Sequence, residues 1–229
     1  MKAIFIDIDN TLLDFDAYVR TTMEQGFAHF GLPAYRLEMY HTFTAENNKL
    51  WRQIEEGTLT FAELQKIRWN NVFAALGIHF DGPAFEHYFR AALHESAIPV
   101  PGAMELLQSL SGRALLCVAS NGPYEQQLHR LEIGGMKQYF DYFFISEHAG
   151  AAKPAPAFFD YAFHALNQDR TDPILPQETL IIGASLTSDI AGGLQYGMKT
   201  CYYRRPGAPA APAGVDYTVT ALSQIPALF

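Results

Sequence analysis

The chain has 229 residues, 49% hydrophobic and 17% charged, enough for one large domain or a core with a smaller insertion, and too apolar for global disorder. The formal net charge is −8 and no Lys/Arg run occurs. That argues against a surface for nucleic acid polymers, which needs clustered cations, but not against a small phosphorylated ligand that one lysine or a metal can neutralise.

The first strand is expected at Ala3 to Ile6, a short apolar run of the kind buried on both faces. It runs into Asp7-Ile8-Asp9, two acids that share a side, and then Thr11. Burying such a pair unpaired is unfavourable by several kcal/mol, roughly, so the strand end is read two ways: solvated acids, or acids held by a metal, a shared proton or a lysine. Asp7 also interrupts the apolar run before a signal-peptide core forms. No stretch approaches the ~18 apolar residues of a membrane span. A cytoplasmic protein is expected, with Cys117 and Cys201 as reduced core thiols and no membrane partner.

From Phe15 to Ile98 the pattern is helical. Val19, Met23, Phe27 and Phe30 stripe a helix ended by Gly31-Leu32-Pro33, and a second helix covers roughly 36 to 55. Thr60 is placed to cap a third, striped by Trp69, Val72, Phe73 and Leu76 and closed by Gly77. A fourth runs from about Pro83 to Ser96. Beyond Pro99-Val100-Pro101-Gly102, strands and helices alternate. Strands are expected at Ala114–Ala119, Tyr142–Ile145, Thr179–Ala184, Thr200–Tyr203 and near Tyr217 to Val219, with helices around Leu106, Leu131, Phe159 and from about Ser188 to Tyr196. Strands apolar throughout imply a parallel sheet covered on both faces. The expected architecture is a doubly wound, Rossmann-like α/β core, residues 1–14 and 99–229, with an all-helical domain, 15–98, inserted after the first strand.

In such sheets ligands bind beyond the carboxyl ends of the strands. The polar interruptions fall there: Asp7-Ile8-Asp9-Asn10-Thr11, Ser120-Asn121-Gly122, Lys153-Pro154 and Ser185-Leu186-Thr187-Ser188-Asp189. Each alone is also what a turn, a surface lysine or a helix start would show. Together, in this order, they resemble the four motifs of the haloacid dehalogenase superfamily. The helical block resembles that superfamily's insertion cap. Asn47, Leu50-Trp51, Glu56-Gly57 and Arg68, with Ser185 to Ile190 and Gly192-Gly193, resemble the pyrimidine 5′-nucleotidase subgroup.

The resemblance implies an Mg²⁺-dependent phosphatase acting on small phosphate monoesters, nucleoside 5′-monophosphates first, through an aspartyl-phosphate. Asp7 would be the nucleophile, Asp9 the acid and base, and Thr11, Ser120 and Lys153 would complete the catalytic set. Asp7, Asp9 and Asp189 would attend the metal. Asn121 and Gly122 would add donors to the phosphate, and Phe15, Tyr18 and Trp51 are the candidate base contacts. An acid at Asp9 favours phosphoryl chemistry over dehalogenation, because a halide leaves without a proton. One position departs from the pattern: Gly183 is followed by Ala184, where an acid that binds Mg²⁺ is expected. Two alternatives therefore stand beside the nucleotidase: a sugar-phosphate phosphatase or phosphomutase, and a catalytically impaired phosphate-ligand binder.

Overall fold

The computed structural model describes residues 1–228. The chain forms two compact units, one of Met1–Asp14 with the chain from Ala97 onward, the other of Phe15–Ser96. Strand β1 (Ala3–Ile6) is followed by four helices: α1 (Phe15–His29), α2 (Leu37–Glu55), α3 (Phe61–Leu76) and α4 (Gly82–His94). The α/β unit then continues with α5 (Ala103–Leu110), β2 (Leu115–Ser120), α6 (Tyr124–Ile133), β3 (Tyr142–Ile145), the short α7 (Ser146–Ala149), α8 (Pro156–Asn167), β4 (Thr179–Gly183), α9 (Ala191–Tyr196), β5 (Lys199–Tyr203) and β6 (Tyr217–Val219).

The six strands are parallel and ordered β3-β2-β1-β4-β5-β6. The chain leaves β1 toward β2 on one side and reaches β4 on the other, so the reversal of strand order falls at β1 and β4, where such sheets bind ligands. Alternation explains why β1 is apolar at every position: Ile4 and Ile6 pack on one face with Leu106, Leu107 and Val118, while Ala3 and Phe5 pack on the other with Phe158 and Phe159. The two cysteines lie on β2 and β5, free and buried. No helix among the described residues is long and apolar enough to cross a membrane.

The helical unit has its own aromatic core, with Trp69 packed against Phe43, Phe73, Phe85 and Phe89. Its ends follow local chemistry. Thr60 and Glu63 form a reciprocal capping box at α3, whose far end closes on Gly77 at φ 65°. Asp81 accepts from Ala84 N at the start of α4.

Two boundaries differ from expectation in ways that matter for chemistry. β2 extends to Ser120 rather than stopping at Ala119, so the hydroxyl is fixed by the sheet. The helix expected from Ser188 is split: Leu186–Ile190 is a single wide π turn, with Ile190 N donating to Ser185 O, before α9 begins. The wide turn lets the Asp189 side chain fold back under β4, where π turns often serve a site.

Candidate active site

The first motif leaves the sheet in a tight turn. Asp7 N still donates to Ile182 O of β4, at 3.0 Å, so the nucleophile candidate is the residue just past the last rung of β1. Thr11, Leu12 and Leu13 then all donate to Ile8 O, and Asn10 adopts φ 63°, one of the few residue types that tolerate this region. The turn brings the Thr11 hydroxyl back over Asp7: it donates to Asp7 Oδ2 at 3.2 Å and accepts from Ala184 N at 3.1 Å. Strands β1 and β4 are thereby tied at their carboxyl ends.

Lys153 reaches the same point from the loop before α8. Its Nζ donates to Asp7 Oδ1 at 3.0 Å, to Asp189 Oδ1 at 2.5 Å and to the carbonyl of Ala119, which uses all three ammonium protons. The lysine is fully buried, and the two carboxylates beside it push its pKa up against the burial that would lower it. Asp7 moves up too, to about 7: burial is the main cause, the Asp189 charge adds to it, and Lys153, shared between two acids, offsets only part.

Several residues singled out from the sequence take other places. Asn121 clamps the backbone of Lys153, accepting from its N at 2.8 Å and donating to its O at 3.0 Å, and so orients the lysine. The Gly122 N–H is spent on Ser146 Oγ at 2.9 Å. Asp189 is buried, with one oxygen on Lys153 and the other accepting from Ser185 N at 2.9 Å. A direct metal ligand is not its place here, because the carboxylate is wholly buried and both of its oxygens are taken. Gly183 makes that tuck possible: a Cβ there would lie 2.1 Å from Asp189 Oδ2. The Gly192-Gly193 pair is a packing feature, since a Cβ on Gly193 would meet Ile181 at 2.4 Å. Phe15, Tyr18 and Trp51 belong to the helical unit. Tyr18 is buried there, its hydroxyl donating to Phe89 O and its ring against Phe15 and Phe89, so it is a packing residue and not a presented base contact. Trp51 packs against Phe61 with the rings tilted at 41° and 5.8 Å between centroids.

Two residues of the site went unread in the sequence. Arg130 of α6, buried, donates to Asp9 Oδ1 at 2.8 Å, and Gln127, one turn earlier, donates to Asp9 Oδ2 at 2.9 Å and to Ser120 Oγ at 2.8 Å. Their signal was present: a cation and an amide at i, i+3, with Arg130 beside buried Leu131, lie on the inward face of the helix that follows Ser120.

A family model of haloacid dehalogenase-like hydrolases matches residues 1–197. The chain belongs to this family. It is 32% identical over 227 residues to the pyrimidine 5′-nucleotidase YjjG of Escherichia coli, covering 97% of this chain and 95% of that protein. It is also 32% identical over 204 residues to the pyrimidine 5′-nucleotidase PynA of Streptococcus pneumoniae, 88% and 83% of the two chains. Among solved structures it is similar to the HAD-hydrolase YfnB of Bacillus subtilis bound to magnesium, at 30% identity and a TM-score of 0.87 over 99% of this chain and 97% of that one. In this hydrolase the acids, hydroxyls and lysine stand at the carboxyl edge of the sheet, the edge at which open α/β sheets bind ligands.

The donors fit a magnesium ion, sparingly. All are hard oxygens, as Mg²⁺ requires. Asp9 is tied at both oxygens, one of them to a guanidinium, and Asp189 is buried with both oxygens taken. Asp7 Oδ2, which among the described residues has just the Thr11 hydroxyl upon it, is the carboxylate oxygen best left for a cation. One carboxylate with waters and a substrate phosphate is an ordinary Mg²⁺ set, and Ala184 adds nothing to it.

Proposed function

We propose that this hydrolase is a phosphoric monoester hydrolase acting through Asp7 as a covalent nucleophile. The observation that carries the reading is the buried lysine shared by Asp7 and Asp189 at the carboxyl end of β1. A carboxylate cannot approach a phosphate dianion until charge is neutralised; a fixed ammonium at 3.0 Å from Asp7 supplies part of that without reorganisation, and a cation would supply the rest. Asp7 Oδ attacks phosphorus, the bond from phosphorus to the leaving oxygen breaks, and that oxygen takes a proton from Asp9. The Asp9 carboxylate then takes a proton from water, whose oxygen attacks phosphorus, and the bond from phosphorus to Asp7 breaks to free inorganic phosphate. Thr11 holds Asp7 from the other side, and Ser120 offers a hydroxyl to a phosphoryl oxygen. Mg²⁺, held by Asp7, would neutralise further charge on the phosphoryl group.

Nucleoside 5′-monophosphates are the proposed substrates, on the likeness to two pyrimidine 5′-nucleotidases over most of the chain. The helical unit would act as a cap that excludes water and selects the substrate, with Phe15 and Trp51 as its candidate base contacts. A panel of nucleoside monophosphates and sugar phosphates, assayed for phosphate release with Mg²⁺ varied, tests this. Higher kcat/KM on pyrimidine nucleotides is expected. Higher values on sugar phosphates would move the substrate class while leaving the chemistry, and silence on every ester with Mg²⁺ present would leave the impaired binder.

A further inference from the structure

The function proposed above uses Asp9, in the turn after β1, and Ser120, the last residue of β2, and neither is held by its own segment alone. One amide joins them. Gln127 Nε2 spends one proton on Asp9 Oδ2 and the other on Ser120 Oγ, while its Oε1 accepts from Arg130 Nη1 at 2.9 Å. The orientation of that amide is forced: turned over, its oxygen would face the Asp9 carboxylate and its NH₂ would face a guanidinium, which accepts nothing. Arg130 completes the frame with its bond to Asp9 Oδ1.

This frame has two chemical consequences. Ser120 Oγ is made an acceptor by Gln127, so its own proton is left to donate, the polarity a phosphoryl oxygen needs. The Asp9 carboxylate is anchored at both oxygens from one side. A carboxylate has about four lone-pair positions, so a proton can still be exchanged from the other side. Asp9 is also the more open partner, its side chain 32% exposed against 1% for Arg130.

We propose that Gln127 and Arg130 are positioning residues of the reaction: together they aim Asp9 at the leaving oxygen and fix Ser120 as a donor. The inference rests on the phosphatase reading. Its test compares two esters, p-nitrophenyl phosphate, whose leaving group departs without a proton, and a nucleoside 5′-monophosphate, whose leaving oxygen needs one. In Arg130→Met, kcat on the nucleotide should fall by about 10²-fold, within the range of general acid catalysis, with kcat on p-nitrophenyl phosphate falling far less. Gln127→Met should show the same split with a raised KM on both esters, from the loss of the Ser120 donor. Adding Arg130→Met to Asp9→Asn should change kcat on the nucleotide little further, because the arginine acts through Asp9. Equal losses on both esters, or additive losses in the double variant, overturn the inference and leave a packing role. Arg130→Lys, which keeps a buried cation, guards against a variant that fails to fold, and should recover part of the nucleotide rate. No phosphate release by the unaltered protein from either ester would instead remove the phosphatase reading, and this inference with it.

Discussion

Each unit holds, among the described residues, a deeply buried cation–carboxylate cluster, and the two are built on opposite principles. In the helical unit Arg68 donates through Nε and Nη2 to Glu86, at 3.0 and 2.6 Å, and through Nη1 to Asn47 at 3.2 Å, with its guanidinium over the Phe89 ring. One positive charge meets one negative charge in a bidentate pair, among aromatic rings. In the α/β unit one lysine is shared by two acids, so negative charge is left over beside Asp7. A balanced cluster holds helices together. An unbalanced one, placed at a strand end, is poised to take a cation and to attack an electrophile; burial raises the carboxyl pKa in both clusters, and at Asp7 the Asp189 charge adds to it.

Substitutions should separate the two. The largest effect is expected for Asp7→Asn, which removes the nucleophile: phosphate release should fall by at least about 10⁴-fold. The same change should stabilise the metal-free protein. The folded-state pKa of Asp7, about 7, lies above its ordinary value of 3.8, so the folded protein binds more protons in between. Stability from this group is therefore complete at low pH and declines as pH rises toward 7. Thermal unfolding of metal-free protein across that range should show the decline, and Asp7→Asn should flatten it. Arg68→Leu should do the reverse, destabilising by about 3–5 kcal/mol because Glu86 is left buried without its partner, while active-site titration of the folded fraction gives an unchanged kcat. Replacing both Arg68 and Glu86 with apolar residues should recover much of that loss.

Gly183→Ala should fall between the clusters, since its Cβ would displace the Asp189 carboxylate that steadies Lys153. A loss of about 1–3 kcal/mol in denaturant unfolding is expected, together with lower kcat. The smallest effect is expected for Ala184→Asp, which supplies the missing acid without touching the lysine: Mg²⁺ binding measured by calorimetry should tighten, with little change in unfolding at zero metal.

The sequence revealed these regions unequally, for physical reasons. Strands such as Tyr142–Ile145 and the capping residues Thr60 and Gly77 were legible because local chemistry dictates them. Asp7 and Asp9 stand out because acids at the end of an apolar strand carry a burial cost that an ordinary turn does not require, whereas Lys153 and Asp189 are legible only through the resemblance of the four motifs taken together. That Asn121 holds the lysine is not legible, because a turn-type residue gives no hint that both ends of its amide will close on Lys153. The Asp189 tuck depends on a π turn, which has no periodic signature. Gln127 and Arg130 were missed because their partner, Asp9, lies 118 and 121 residues away along the chain, and only the sheet brings them together.

The central claim is that Asp7 carries the phosphoryl group. Rapid mixing of enzyme with a nucleoside 5′-monophosphate and Mg²⁺, acid quenching within a single turnover, and peptide mapping by mass spectrometry test it directly. Phosphate covalently bound to the peptide containing Asp7, and absent in Asp7→Asn, is the expected result. Steady turnover with no phosphorylated peptide, or with the phosphate on another residue, would contradict it.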